Sequence, residues 1–168
     1  MAKVVRSEEV APQPWANGGG TTRELLVADD GSWRISLADV SRDGPFSSFP
    51  GRRRLLTVVD GPVLALVVDG VDHVVEPHRP FAFSGDAVVE AAVPEGPVRA
   101  LNVVADPAVS PHVTVLELGR TSTLTLADDQ AAFVLKGGSE EAGAGSLVVG
   151  PGEVTGRSTV AVVSLDRG

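Results

Sequence analysis

Apolar and polar positions alternate along this chain in short bursts, and the bursts are closed again and again by Gly, Pro or Asp. Period-two stretches rich in Val, Leu, Ile and Thr between turn residues predict strands. They fall at residues 33–38, 54–60, 63–68, 71–76, 87–93, 98–104, 112–118, 131–136, 146–149 and 159–165. The 3.6-residue period of an amphipathic helix is hard to find. Asp69-Gly70 supplies both positive-φ residues of a type I′ turn, so the segments on either side of it form a hairpin. Leu64 to Val68 is apolar at consecutive positions, as in a sheet covered on both faces. The pattern predicts an all-β barrel or sandwich. A shorter run of strands and Gly-rich turns after residue 130 matches the turn order of the first half, which points to a degenerate duplication.

With 168 residues, the chain can bury one sizeable core, and two unrelated modules are not expected. Nineteen Gly and twelve Pro fit the many turns. A formal charge of -8 repels a phosphate backbone, so neither nucleic acid nor an anionic membrane is an expected partner. A small anion can still bind locally. Cysteine is absent, which removes disulfides, thiolate metal sites and a catalytic thiol. Ser7, Glu8 and Glu9 interrupt the basic start before any apolar signal region, and Asp60, Gly61 and Pro62 break the longest apolar stretch, so the expected location is the cytoplasm. Open sheet edges leave room for a homodimer.

The three histidines are His73, His78 and His112. Two ligands on one strand face must be two residues apart. His73 and His78 are five apart across Pro77, so a metal centre is not expected. Neither a Gly-x-Ser-x-Gly elbow nor a phosphate-binding Gly-Lys-Ser loop occurs.

Four polar constellations remain. In PWANGGGTTREL, three glycines follow Asn17 and can bring backbone N–H groups close to a ligand. Beyond them, alternation puts Thr22 and Glu24 on one face and Arg23 and Leu25 on the other. In WRISLADV, Arg34 and Ser36 share a face opposite Trp33, Ile35 and Leu37. In FSSFPGRRR, a Phe-anchored turn precedes three arginines; Arg52 and Arg53 read as solvated surface, whereas Arg54 opens a strand and can point inward at a carboxylate. Asn102 is a lone amide in the apolar strand RALNVV and needs a partner, from backbone or ligand.

These motifs, with RPFAFSGD and LNVV after them, stand in an order that resembles the HutD/Ves family of cupin-like proteins over roughly the first two thirds of the chain. The resemblance implies a double-stranded β-helix (cupin) barrel with two cupin-like halves in one chain, a bicupin. The first half would be residues 1–110, carrying the motifs, and a shorter degenerate half 111–168, packed as one unit. It implies that the usual cupin metal histidines are missing and that no cofactor is used. The matching positions are Trp15, Asn17, Gly20, Thr22, Arg23, Glu24, Arg34, Ser36, Phe49, Pro50, Gly51, Arg54, Phe81, Phe83 and Asn102. The chain departs from the family pattern at Arg53, Ala100 and Asp106.

The resemblance also implies a link to histidine utilisation and a small acidic ligand of the glutamate-derivative type, such as a formylated or formiminated glutamate. The leading expectation is a metal-independent binding protein with a regulatory role. Arg34 and Arg54 would hold a carboxylate, and Asn17, Thr22, Ser36 and Asn102 would orient the rest, with Trp15, Gly20 and Phe83 completing the site. The rival is a metal-independent hydrolase or isomerase in which Glu24, in an apolar pocket, is the general base. A third, metal-dependent reading would use His73, His78 or His112.

Overall fold

The computed structural model describes residues 2–167 and divides the chain into two compact units, Ala11–Val109 and Met1–Val10 together with Ser110–Gly168. Apart from one short 3-10 turn at Ser7–Glu9, the regular structure of the described residues is β. The strands are β1 (Lys3–Arg6), β2 (Gln13–Pro14), β3 (Gly20–Val27), β4 (Trp33–Val40), β5 (Gly44–Pro45), β6 (Arg53–Asp60), β7 (Leu64–Val68), β8 (Val71–Val75) and β9 (Phe81–Ser84). They continue as β10 (Val89–Ala92), β11 (Val98–Ala105), β12 (Val109–Leu118), β13 (Thr123–Leu126), β14 (Gln130–Gly137), β15 (Ser146–Val149), β16 (Gly152–Thr155) and β17 (Ser158–Arg167).

Unit Ala11–Val109 holds a six-stranded sheet, ordered β2-β3-β4-β11-β6-β9, and a four-stranded sheet, ordered β5-β10-β7-β8. All its pairings are antiparallel. Valines and leucines recur at alternate positions because each strand gives one face to the core. Val40, Leu56, Val58, Val98 and Ala100 of the larger sheet cluster with Leu64, Leu66, Val75, Val89 and Ala91 of the smaller. The expected hairpin is β7–β8, with Val68 opposite Val71 and φ of 47° at Asp69 and 82° at Gly70.

The other unit carries a five-stranded sheet, β1-β15-β14-β17-β12, and the pair β13-β16. Its core gathers Leu126, Ala132, Val134, Val148, Val154 and Val160. The sequence reading places residues 1–110 in the first half. Strand β1 instead pairs with β15, Lys3 opposite Val149 and Arg6 opposite Ser146, so the first residues belong with the C-terminal unit. Such long-range pairing is decided by which sheet edge is open, a property of the assembled fold and not of a four-residue segment.

Antiparallel register lays the site out in rows across the six-stranded sheet. Thr22, Ala38, Ala100 and Val58 make one row; Glu24, Ser36, Asn102, Leu56 and Phe81 the next; Arg34, Val104, Arg54 and Phe83 a third. A single sheet face is therefore apolar core at one end and polar at the other. Ile35 and Leu37, on the opposite face, are buried, as the alternation in WRISLADV requires. A bulge in β3 between Glu24 and Leu26 breaks the alternation just after Glu24.

Gly20 explains the last of the three glycines. A Cβ there would overlap the Asp39 carbonyl oxygen and stand 3.0 and 3.1 Å from two atoms of the Trp15 ring. Gly20→Ala is expected to cost about 1–3 kcal/mol through this overpacking, read as a lower urea midpoint with an unchanged slope.

Candidate functional site

The polar end of that face opens into a cavity of about 480 Å³ lined by residues of β3, β4, β6 and β11, by residues 15–17 and by the segment from Pro45 to Phe49. Of the residues singled out from sequence, Trp15, Asn17, Thr22, Glu24, Arg34, Ser36, Arg54 and Asn102 line it. Gly20 and Phe83 do not. Gly20 gives Trp15 room, and Phe83 stacks on Arg54.

Arg54 dominates the site. Only 8% of it is exposed, and its guanidinium carbon lies 4.8 Å from the ring centroids of Phe49 and Phe83 and 5.6 Å from that of Phe46. Nη1 donates to the Ser47 carbonyl oxygen at 3.2 Å, and the buried Nε has no partner. No carboxylate forms an ion pair with it among the described residues. Burial, and secondarily the charge of Arg34, push the guanidinium down from its usual range to about 10. That corresponds to a penalty of roughly 3 kcal/mol on the charged form. The cation–π contacts return part of it, at about 1–2 kcal/mol for a desolvated pair.

Arg34 stands beside it, its guanidinium carbon also 4.8 Å from the Phe49 centroid. Its Nη1 reaches Glu24 Oε1 at 3.5 Å, with 51% of the Glu24 side chain exposed. The apolar surroundings expected around a general base at Glu24 are therefore not there; the carboxylate sits at an open rim against a cation. Asn102 is buried and its Oδ1 is without a partner. Ser36 is also buried on the same row.

Two expected ligand contacts serve the fold. Asn17 Oδ1 accepts the Gly19 N–H at 2.8 Å and its Nδ2 donates to the Pro45 carbonyl at 3.0 Å, which ties the glycine loop to the cavity wall. Trp15 Nε1 donates to Thr22 Oγ1 at 2.8 Å, leaving the Thr22 hydroxyl proton for a further acceptor. Arg52, expected in solvent, pairs with Asp106 at 3.3 Å and donates to the Gly31 carbonyl; Arg23 pairs with Asp39 at 3.0 Å. None of the three departures from the family pattern lines the cavity: Arg53 is exposed, Ala100 is in the core and Asp106 holds Arg52.

Sequence reasoning missed Phe46, Ser47, Phe49 and Val104 as walls. Val104 was within reach, since it stands two residues beyond Asn102 and must share its face. The wall segment was not, because its position depends on non-local hydrogen bonds, such as Phe46 N–H to Val89 O and Phe49 N–H to Gly85 O. Among the described residues, no three His, Cys, Asp or Glu side chains stand together as a metal-ligand group. His73 packs against Phe81 with the rings tilted by 48° and their centroids 4.7 Å apart, and His112 faces Asp166 at 3.5 Å. Among the described residues, no helix is long and apolar enough to cross a membrane.

The sequence profile of the HutD family matches residues 7–148. The chain belongs to the HutD family. Among curated HutD-like relatives, it is 36% identical over 117 residues to an uncharacterized 21.2 kDa protein in the hutC 3' region of Pseudomonas putida, covering 62% of this chain and 58% of that one. It is 40% identical over 87 residues to Protein Ves of Citrobacter koseri, covering 49% and 46%. The matches thus span about half the length of these relatives. A conserved protein of unknown function from Pseudomonas aeruginosa PAO1 superposes with a TM-score of 0.86 at 27% identity over 100% of both chains. HutD from Pseudomonas fluorescens SBW25 does so with 0.78 at 28%, over 99% and 100%. The Escherichia coli protein Ylba, at 8% identity, shares the fold alone, with a TM-score of 0.71 over 97% and 89%. The fold is all-β and cupin-like.

Because the Arg54 charge is desolvated without an anion, removing it is expected to be inexpensive. Arg54→Met should change stability by less than about 1 kcal/mol or raise it, against the 2–5 kcal/mol typical of large-to-small core substitutions. Thermal and urea unfolding of the two proteins measure the difference.

Proposed function

We propose that this HutD-family chain binds a small acidic metabolite, without a metal, by its carboxylate on Arg54, and that it serves a regulatory role in histidine utilisation. The observation that carries the reading is Arg54: a buried guanidinium, walled by three phenylalanines, that lines a cavity and has no carboxylate of its own. A planar guanidinium matches a carboxylate bidentately, and such charge-assisted hydrogen bonds are roughly twice as strong as neutral ones. Arg34, in a looser pair at the rim, is free to turn to the same ligand. Ser36, Thr22 and Asn102 supply polar contacts for the remainder, and Trp15, Phe46 and Val104 enclose its apolar body.

The names of the relatives supply the biological setting. One is described by its place near hutC, and a solved neighbour is named HutD, which supports a ligand drawn from histidine utilisation and, with the two arginines, one of glutamate-derivative type.

A thermal-shift series with glutamate, N-formylglutamate and formate tests the reading. At about 100 times Kd, a bound acid should add roughly 2.7 kcal/mol of stability, and Arg54→Met should abolish the effect. No stabilisation by any small carboxylate would contradict the proposal.

The pH dependence follows from Arg54. Its pKa in the fold is lowered to about 10, so below that the cation is present and affinity should be flat from about pH 7 to 9. Above about 10 the free site loses its proton and affinity should fall, approaching tenfold per pH unit. Titration calorimetry across pH 7 to 10.5 reads this, provided folding is checked at each point.

A further inference from the structure

We infer that two copies of this chain pair along strand β8, antiparallel about a twofold axis at His73, so that two four-stranded sheets become one. No residue of β8 lines the cavity, and the pairing holds whether or not an acid binds there. The phase of the β8 backbone comes from its hairpin. Across a two-residue type I′ turn the flanking residues, Val68 and Val71, form a hydrogen-bonded pair, so Val71, His73 and Val75 direct their backbone groups to β7. The Asp69 N–H to Val88 carbonyl bond, on the other side of β7, has the matching phase. The N–H and C=O groups of Asp72 and Val74 therefore point away from β7, and β8 ends its sheet.

Proteins blunt open edges with proline, cationic side chains or short strands. At the edges of the three larger sheets, β1 carries Lys3 and Arg6, β2 and β5 are two residues long and end in proline, β9 starts directly after Pro80, and β12 contains Pro111. Strand β8 has five residues with no proline, no cation and no bulge, and Asp72 is its one carboxylate. It also carries two of the four exposed large apolar side chains among the described residues, Val71 at 58% and Val74 at 69%; a third, Val88, hydrogen-bonds to Asp69 at the hairpin turn.

The strand is complementary to itself. With His73 opposite His73, Asp72 faces Val74 of the other copy, the two exchange both hydrogen bonds, and the outward groups of both residues are used. Val71 then faces Val75 of the other copy on the side of the core. A shift of the register by two residues sets Asp72 against Asp72 in one direction and against Glu76 in the other, and like charges directly opposite disfavour both. A one-residue slip would set core-facing side chains against outward ones. One register is left, which is what a defined pair requires.

The chain has no cysteine, so single introduced cysteines read the register. His73 and its counterpart form a non-hydrogen-bonded pair with Cα atoms about 4.5 Å apart, within disulfide range, whereas Val71 and its counterpart are about 13 Å apart. Under mild oxidation of the full chain, His73→Cys is expected to form covalent dimer at least about tenfold faster than Val71→Cys. Sedimentation velocity of the unaltered chain should show a dimer that dissociates on dilution from about 100 to about 1 μM, since a single-strand contact lies at the small end of interface sizes. Val74→Pro, which removes an outward N–H and no bond to β7, should give a monomer. Val74→Asp should do so by facing Asp72, whereas Val74→Lys, of the opposite charge, should keep the dimer. A monomer at about 100 μM, equal cross-linking of the two cysteine variants, or a dimer untouched by Val74→Pro and Val74→Asp would overturn the inference. The cysteine comparison decides it even where Val74→Pro fails to fold.

Discussion

A guanidinium among three phenylalanine rings cannot be satisfied by its walls. Rings offer Arg54 the negative faces of their π-systems and Ser47 offers one carbonyl, but neither is a counter-ion, and Nε is left with no acceptor. Proteins usually pair a buried arginine with a carboxylate. Here the one carboxylate that lines the cavity, Glu24, is engaged with Arg34 at the rim. The unrelieved charge is a cost that the fold carries, and an acid entering the cavity relieves it. Other features of the site follow from keeping that charge in place and reachable.

The sheet does this with ordinary antiparallel geometry. Because one face of β4, β11 and β6 is continuous, the same alternation that sends Val40, Ala100 and Val58 into the core sends Arg34, Asn102 and Arg54 into the cavity. The site is thus built on paired strands with fixed register, which position groups more precisely than loops do. Two loop segments take part, residues 15–17 and the stretch around Phe46 to Phe49, and the second is tied down by backbone hydrogen bonds to Gly85 and Val89 and by the Asn17 amide to Pro45.

Much of this was legible in the sequence, for a physical reason: a strand's period is two, so WRISLADV alone tells that Arg34 and Ser36 share a face, and TTREL that Thr22 and Glu24 do. The lone polar residues in apolar strands, Arg54 and Asn102, mark themselves by the cost of burying them. What alternation does not carry is what lies opposite. It does not show that Phe46 and Phe49 cover Arg54, that Asn17 spends both ends of its amide on the backbone, or that β1 travels to β15. It also cannot show whether Glu24 sits deep or at a rim, since both positions satisfy the same pattern. Those facts are set by contacts between segments far apart in the chain.

The central claim is that Arg54 is the seat of an exogenous carboxylate, and a crystal structure grown with saturating glutamate tests it most directly. The account requires carboxylate oxygens within about 2.7–3.2 Å of the Arg54 guanidinium, inside the cage of Phe46, Phe49 and Phe83. A cavity that stays empty at saturating acid, or an acid seated elsewhere with Arg54 still bound only to Ser47, would contradict it.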